Sequence, residues 1–433
     1  MTIALSPAVD ELSPATIELR DEDRAHLVAG HGAEAAEWNV VEYLTEAARG
    51  SATAWIDGHR RYSFAHVRGA ATVIADDLRA RGLEPGAPVA LYARNGLFWL
   101  AAYLGILSAG MIAVPLSASH PPVEAWRRAQ WCGCRGAAIG HGQRWPTDLA
   151  AVPTVSEATL GEGWDAAPAE TLPAAPVRAG ADAVYLVTAH PADALRVVRI
   201  THDNIRAGTQ SMLDCLFLEG SDRSLMAVPL STSIGGSQLH THLRIGAALV
   251  HHASAAVPES VVDALERFNC TGFAGDTTAF RALVANSSFT WRRLPQLRLL
   301  QQTGGTLPVT IEDELARSHP SARLFTLYAR PEAVAGLACL TPEIRRTHRG
   351  SVGRGLPGVR LRVVDAGGAD VQPGQPGQVQ ATGGNISPGY LNDEITTART
   401  MRGRVLHTAD AATVDDDGYI RLIEPDGAWP IRP

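Results

Sequence analysis

The chain has 433 residues, enough for two or three subdomains, and a composition of 45% hydrophobic and 19% charged residues excludes a disordered polymer. A net charge of −7, with arginines scattered rather than striped, excludes a nucleic-acid-binding surface. None of the 38 basic side chains is a lysine, so a Schiff-base amine, a lysine general base and a phosphate-loop lysine are all excluded within these residues.

Residues 1–50 read as helical with a solvated acidic face, and the first forty lack the basic and apolar segments of a secretion signal. Ala54 to Ser63 reads as a hairpin turning at Asp57-Gly58, after which Ser63 caps a helix to about Arg81, with Val67, Ala70, Ala71, Ile74 and Leu78 at helical spacing. Pro88 to Tyr92 and Met111 to Leu116 read as strands around a helix from Phe98 to Ala109. The whole apolar stretch Leu97 to Val114 is too short and too broken by glycine to span a membrane. Gly161 to Ala181, rich in Ala, Pro and Gly, reads as a connector.

The β–α rhythm then resumes. Val184 to Val187, Ser224 to Val228, Ala247 to His251, Gly272 to Ala274, Leu297 to Gln301 and Leu324 to Leu327 read as strands separated by helices, among them Asp203 to Leu216. From about Gly353 the pattern alternates, at Val359 to Asp365, Gly377 to Thr382 and Tyr419 to Leu422, which predicts a small antiparallel β unit. The expected fold class is α/β, with a first subdomain over 1–175, a second over 176–352 and a small β-barrel-like subdomain over 353–433.

The five cysteines, an odd number, fit a reducing cytoplasm better than a disulfide framework. Cys132 and Cys134, with His141 nearby, lack the second cysteine pair of a zinc site and read as structural thiols. His240 and His242 follow Gly235-Gly236 in what reads as a helix, where positions i and i+2 point about 160° apart. No metal site is expected.

Five stretches carry a more specific signal. They are Gln302-Thr303-Gly304-Gly305-Thr306-Leu307-Pro308, Tyr328-Ala329-Arg330-Pro331-Glu332, Gly350 to Val359, Asn385 to Asn392, and His407-Thr408-Ala409-Asp410 followed by Asp415 to Tyr419. In order and spacing they resemble the adenylate-forming superfamily of acyl-CoA synthetases, nonribosomal-peptide adenylation domains and luciferases, over nearly the whole chain. The resemblance implies the large N-terminal domain of such an enzyme, with two stacked α/β subdomains and a small β subdomain. It also implies ATP and Mg as cofactors, a carboxylic acid as substrate and a thiol as acyl acceptor.

Residue by residue, the carry-over is uneven. The family phosphate loop, T-S-G-T-T-G-x-P-K-G-V followed by T-H-x-N, aligns without a gap from Thr188 to Asn204. Its glycine positions, where backbone N–H groups approach phosphate, hold His190, Asp193 and Val197. Pro191 and Ala192 replace hydroxyl donors, and Arg196 stands at the lysine. The resemblance gives Tyr328 to adenine stacking, Glu332 to magnesium and Asp410 to the ribose hydroxyls, while Pro331 replaces the α-phosphate threonine; by its residues alone Asp410 reads equally as a turn-capping aspartate before the β unit. Thr188, Arg196, Tyr328, Glu332 and Asp410 are therefore the candidate nucleotide residues.

The acyl-pocket segment P-L-F-H-x-x-G reads Pro229-Leu230-Ser231-Thr232-Ser233-Ile234-Gly235-Gly236, a smaller and hydroxyl-lined wall. Ser231, Thr232, Ser233, Gly235, Gly236, Gly304, Gly305 and Thr306 are the candidate substrate residues. With Tyr328 they are expected to line a cleft between the second α/β subdomain and the β unit. The family's Gly-Arg pair and hinge are missing after Gly418-Tyr419, and its mobile C-terminal catalytic domain, which carries a lysine, is expected to be absent.

The expected protein is thus a divergent relative that no longer adenylates, uses no cofactor, and binds a small carboxylic acid, an acyl thioester or a carrier protein. Two alternatives stand beside it. One is ATP-independent acyl transfer, although Cys215, Cys270 and Cys339 lack an adjacent histidine in sequence. The other is a working acid–thiol ligase completed by a partner ligase chain. No contact with nucleic acid or membrane is expected.

Overall fold

The computed structural model describes residues 37–146, 152–188, 195–253 and 255–423. Most of the helical stretch expected at the start lies outside these residues; within them, Val40–Thr45 is a helix capped by the Asn39 side chain.

Strand β1 (Thr53–Asp57) turns at Gly58, φ +58°, into β2 (Arg60–Ser63). The Asp-Gly pair predicts this turn because glycine adopts positive φ without a Cβ clash. Ser63 caps the Phe64–Ala80 helix by accepting from the His66 N–H. β3 (Pro88–Tyr92), the Leu97–Ser108 helix and β4 (Ile112–Leu116) follow. Every residue of the Leu97–Ser108 helix is buried, which explains its apolar character on all sides. Gly105 lets it approach the Phe64–Ala80 helix closely, since a Cβ there would stand 2.6 Å from the Ala71 carbonyl oxygen. A helix at Pro122–Trp131, β5 (Gly136–Ile139) and β6 (Thr154–Ser156) extend the run beyond the elements read from sequence.

The second run begins with β7 (Asp182–Thr188) and β8 (Arg196–Thr201). β9 (Arg223–Met226), β10 (Ala248–His251), β11 (Gly272–Asp276), β12 (Leu299–Thr303) and β13 (Arg323–Arg330) then alternate with helices at His202–Leu216, Ser233–Ile245, Pro258–Arg267, Thr277–Asn286 and Val309–Ser318. β14 (Ala333–Leu340) returns antiparallel to β13, and a short β15 (Arg354–Gly355) pairs with β14. The tail supplies β16 (Val359–Val364), β17 (Gly377–Gly383), β18 (Gly389–Tyr390), β19 (Met401–Arg402), β20 (Val405–Val414) and β21 (Ile420–Leu422).

Three sheets result. The largest runs β15-β14-β13-β12-β11-β9-β10-β1-β2 and is parallel from β1 to β13, with antiparallel strands at both margins. The second runs β18-β8-β7-β4-β3-β5-β6, and the small antiparallel sheet runs β16-β17-β20-β19 with β21 on β20. Sheet membership interleaves along the chain. The early β1–β2 hairpin joins the largest sheet through β10, and β18, from within the tail, crosses back to β8. Two antiparallel strands, β8 and β14, depart from the simple βαβ reading.

Helices cover the parallel strands with amphipathic faces. Pro258–Arg267 buries Val261, Val262, Ala264 and Leu265, which pack with Leu225, Val250, Phe273 and Leu300 of the largest sheet. Among the described residues no helix is long and apolar enough to cross a membrane.

Candidate functional site

The parallel strands of the largest sheet end level with one another. Asp276 of β11 is in register with Thr303 of β12, and Thr303 with Leu327 of β13. Crevices outside the carboxyl ends of such strands are where open α/β sheets hold ligands. The segments leaving this edge include Ser231–Gly236, Gly304–Thr306 and the β13–β14 turn.

The Gly304–Gly305 turn has φ of +74° and +106°. The fully buried Gln302 amide pins it, donating through Nε2 to the carbonyls of Thr303 at 2.8 Å and Gly305 at 2.7 Å. Thr277 Oγ1 donates to the Gly304 carbonyl at 3.0 Å. Thr306 follows, half-buried.

The expected hydroxyl-lined wall is largely a helix cap. Thr232 precedes the Ser233–Ile245 helix, accepts from the Gly235 N–H at 3.1 Å and donates to the Pro229 carbonyl at 2.7 Å. Gly235 fits against Pro229 so closely that a Cβ would stand 2.2 Å from its carbonyl oxygen. Ser231, Ser233 and Gly236 are half-buried beside it. Asn95 braces this loop from the other large sheet, donating to the Val228 carbonyl and accepting from the Leu230 N–H.

Thr188 and Arg196 face each other on the last rung of the β7–β8 ladder, with Thr188 Oγ1 donating to the Arg196 carbonyl at 3.2 Å. His190, Pro191, Ala192 and Asp193 lie outside the described residues. Val197 is a wholly buried strand residue paired with Val187. The Thr-His-x-Asn quartet has a plain structural use. Thr201 and Asn204 form a reciprocal capping box, and Asn204 Nδ2 donates to the carbonyls of Gly384 and Ile386.

All three sheets converge on one polar cluster. The Tyr328 hydroxyl donates to Asp410 Oδ2 at 2.5 Å, and the Tyr390 hydroxyl donates to Glu332 Oε1 at 2.6 Å. Arg330 stands between the two carboxylates, its Nη1 3.3 Å from Asp410 Oδ2 and its Nε 3.7 Å from Glu332 Oε2. The Arg196 guanidinium lies 5.8 Å from the centre of the Tyr390 ring. Tyr328, Glu332 and Asp410 are thus brought together, and Arg196 reaches the same cluster through Tyr390.

Backbone irregularities aim these groups. β20 bulges against β17 where Ala409 takes a φ of +60°, turning Asp410 out of the ladder. Opposite it, β14 bulges against β13, and Asn385 Nδ2 holds the freed carbonyls of Val334 and Gly336. Ser387 donates its N–H to the Glu332 carbonyl, which ties the Asn385–Asn392 stretch to the site.

The electrostatics are those of an enclosed ion cluster. Burial opposes the Arg330 charge, but Glu332 and then Asp410 outweigh it and raise its pKa. Burial, then the adjacent carboxylate, pushes the Tyr328 and Tyr390 hydroxyls up, so both stay protonated donors. Glu332 Oε2 and Arg330 Nε are buried without a hydrogen-bond partner.

Arg330 and Tyr390 go unassigned in the sequence reading. The signal for Arg330 is partial: it is the cation of the quoted Tyr328–Glu332 stretch, two positions before Glu332, while nothing local points to Asp410. Tyr390 lay in the quoted Asn385–Asn392 stretch. An open groove of about 710 Å³, lined by residues such as Glu84, Gln130, Trp131, Cys132, Tyr185 and Asn392, contains none of the candidate nucleotide or substrate residues.

The remaining candidates are internal. Burial pushes the Cys132 and Cys270 thiols up to about 12 and raises Cys134 well above its ordinary value. His240 bonds the Tyr103 hydroxyl, and His242 bonds the Gln238 carbonyl of its own helix. Among the described residues, no three His, Cys, Asp or Glu side chains are grouped to hold a metal.

A family model described as AMP-binding enzyme matches residues 44–195 and 196–391, well over half of the chain. A feruloyl-CoA synthase from Amycolatopsis sp is 27% identical over 383 residues, covering 86% of this chain and 75% of that protein. A D-alanine–D-alanyl carrier protein ligase from Bacillus licheniformis is 22% identical over 354 residues, covering 80% and 70%. Among solved structures, the anthranilate CoA ligase AuaEII with anthranoyl-AMP superposes with a TM-score of 0.82 at 22% identity, covering 91% of this chain and 80% of that one. The N-terminal domain of FACL13 from Mycobacterium tuberculosis gives 0.80 at 19% identity, covering 89% and 100%. The fold is that of the N-terminal domain of adenylate-forming enzymes, and the chain belongs to the AMP-binding enzyme family.

Proposed function

We propose that this member of the AMP-binding enzyme family binds a small carboxylic acid or its acyl thioester without making an acyl-adenylate. The observation that carries the reading is the Thr188–Val198 stretch. A phosphate cradle needs glycines whose N–H groups converge on the anion, and a cation beside them. His190, Pro191, Asp193 and Val197 meet none of these needs. Val197 is a buried sheet residue, Asp193 is like-charged with a triphosphate, and Pro191 has no N–H to give. Arg196 alone remains, and the 433 residues hold no lysine to neutralise charge on a reacting phosphoanhydride.

The family would supply ATP and Mg through Tyr328, Glu332 and Asp410. That Glu332 and Asp410 already share a cation and two tyrosine hydroxyls favours the same reading. Relatives named as CoA and carrier-protein ligases make a thioester or a carrier protein the fitting partner class. Acyl transfer through Cys132, Cys134 or Cys270 is disfavoured, since burial holds them as thiols; Cys215, whose pKa the neighbouring Cys339 lowers against the effect of burial, is itself buried.

The test is ATP–pyrophosphate exchange with a panel of carboxylic acids, beside thermal shift with the same acids and their CoA thioesters. Exchange is expected at background, with melting raised by an acid or thioester and not by ATP with magnesium. Acid-dependent exchange above background sinks the reading. If it arises only with a second ligase chain present, the partner-completed ligase takes its place.

A further inference from the structure

We propose that Arg330 is a built-in counter-ion that denies the Glu332–Asp410 junction to a ribonucleotide and its divalent cation. The proposal rests on the reading of this chain as a family member that does not adenylate, and names the residue that sets that specificity on the nucleoside side.

The argument starts from what the two carboxylates have to offer. A vicinal diol is recognised by a carboxylate that presents both oxygens as acceptors. Asp410 Oδ2 takes the Tyr328 hydroxyl, and both Asp410 oxygens face Arg330 Nη1, at 3.4 and 3.3 Å. A hard divalent cation needs converging oxygen ligands and no competing positive charge. Glu332 Oε2 is the one buried oxygen without a hydrogen-bond partner in this cluster, and Arg330 Nε stands 3.7 Å from it. A dication seated on that oxygen would share its site with a guanidinium that stays protonated at any working pH.

The bond lengths separate scaffold from plug. The tyrosine hydroxyls hold the carboxylates at 2.5 and 2.6 Å. Every contact of Arg330 with them is longer, from 3.3 to 3.7 Å, so charge rather than tight hydrogen bonding keeps it there. Removing the guanidinium therefore leaves two carboxylates, each held by a tyrosine hydroxyl, with no cation between them. Arg330 ends β13, paired with Ala333 of β14, whose bulge is fixed by Asn385. The backbone that aims the side chain does not depend on its charge.

The probe is AMP with magnesium, which has no triphosphate and so bypasses the Thr188–Val198 stretch. Calorimetry is run on the full chain, Arg330→Ser, Arg330→Gln and the double variant Arg330→Ser/Asp410→Asn. Both single variants are expected to bind AMP at least tenfold more tightly than the parent, in a magnesium-dependent manner, and the double variant is expected to lose the gain. Folded single variants with the affinity of the parent overturn the proposal, as does failure of both to fold, which would make Arg330 a structural tie. ATP–pyrophosphate exchange by the unmodified chain instead overturns the functional reading, whatever the variants do, so the two failures are told apart.

Discussion

Tyr328 and Asp410 are 82 positions apart in the chain, yet the Tyr328 hydroxyl meets Asp410 Oδ2 at 2.5 Å. The bond joins the largest sheet to the small antiparallel one, and it forms because Ala409, at φ +60°, turns the next residue out of the β20 ladder. Its counterpart, Tyr390 to Glu332, joins the second sheet to the largest. Together they make the candidate site part of what holds the three sheets in place.

The two bonds should differ in worth. Glu332 is 9% exposed at its side chain and Asp410 20%, so water replaces a lost donor more readily at Asp410. Tyr390→Phe is expected to cost about 1–3 kcal/mol, and Tyr328→Phe about 1 kcal/mol or less. Urea denaturation of both variants measures this; a larger loss for Tyr328→Phe contradicts the ranking.

Acid should weaken the fold through buried imidazoles. Burial lowers the pKa of His240 to about 3 and that of His202 to about 4, from 6.5. The folded value lies below the unfolded one, so between them the unfolded chain binds more protons and stability rises with pH. The stability is whole above about pH 6.5 and is lost toward pH 3, at up to about 1.4 kcal/mol per pH unit for each group. Melting temperature from pH 7 to pH 4.5 is expected to drop steadily, and His240→Asn to flatten the slope. An unchanged slope in that variant rules out His240 as a contributor.

Two glycines with similar backbones should respond unequally to alanine. Gly353 has φ +93° and a Cβ there would stand 1.9 Å from the Cys339 carbonyl oxygen, whereas Gly374, φ +82°, has nothing within 4 Å. Gly353→Ala adds a backbone clash to left-handed strain and is expected to cost about 3 kcal/mol or more. Gly374→Ala carries the strain alone, about 1–2 kcal/mol. Equal melting temperatures would show that the β14–β15 contact yields without penalty.

The thiols should be slow to react. Cys132, Cys215, Cys270 and Cys339 are buried and Cys134 is half-buried. Titration with a chromogenic disulfide is expected to proceed slowly on the native protein and to release all five thiols in denaturant. A single fast thiol in the native state would restore cysteine-based acyl transfer as a function.

Much of the fold was legible along the chain. The Asp57-Gly58 hairpin, the Ser63 cap and the sequence of short apolar strands each rest on neighbouring residues, and each appears where the local pattern puts it. The five motif stretches were likewise readable as a set. Less legible was the use of a quartet outside them: Thr201 to Asn204 aligns with the end of the family phosphate loop, and Thr201 and Asn204 build a capping box whose Asn204 also holds the Gly384 and Ile386 carbonyls.

The sequence by itself determined the alternation of strands and helices and the family, and it carries the proposal that the Thr188–Val198 stretch holds no phosphate. These depend on periodicity, backbone conformation and charge, which act over a few residues. Only the tertiary structure decided that β1 pairs with β10, that β18 crosses to β8, and that Arg330 stands between Glu332 and Asp410. Such pairings are chosen by burial and charge neutralisation among groups tens to hundreds of positions apart. No local pattern encodes which distant carboxylate a buried arginine will meet; the packing of three sheets around it does.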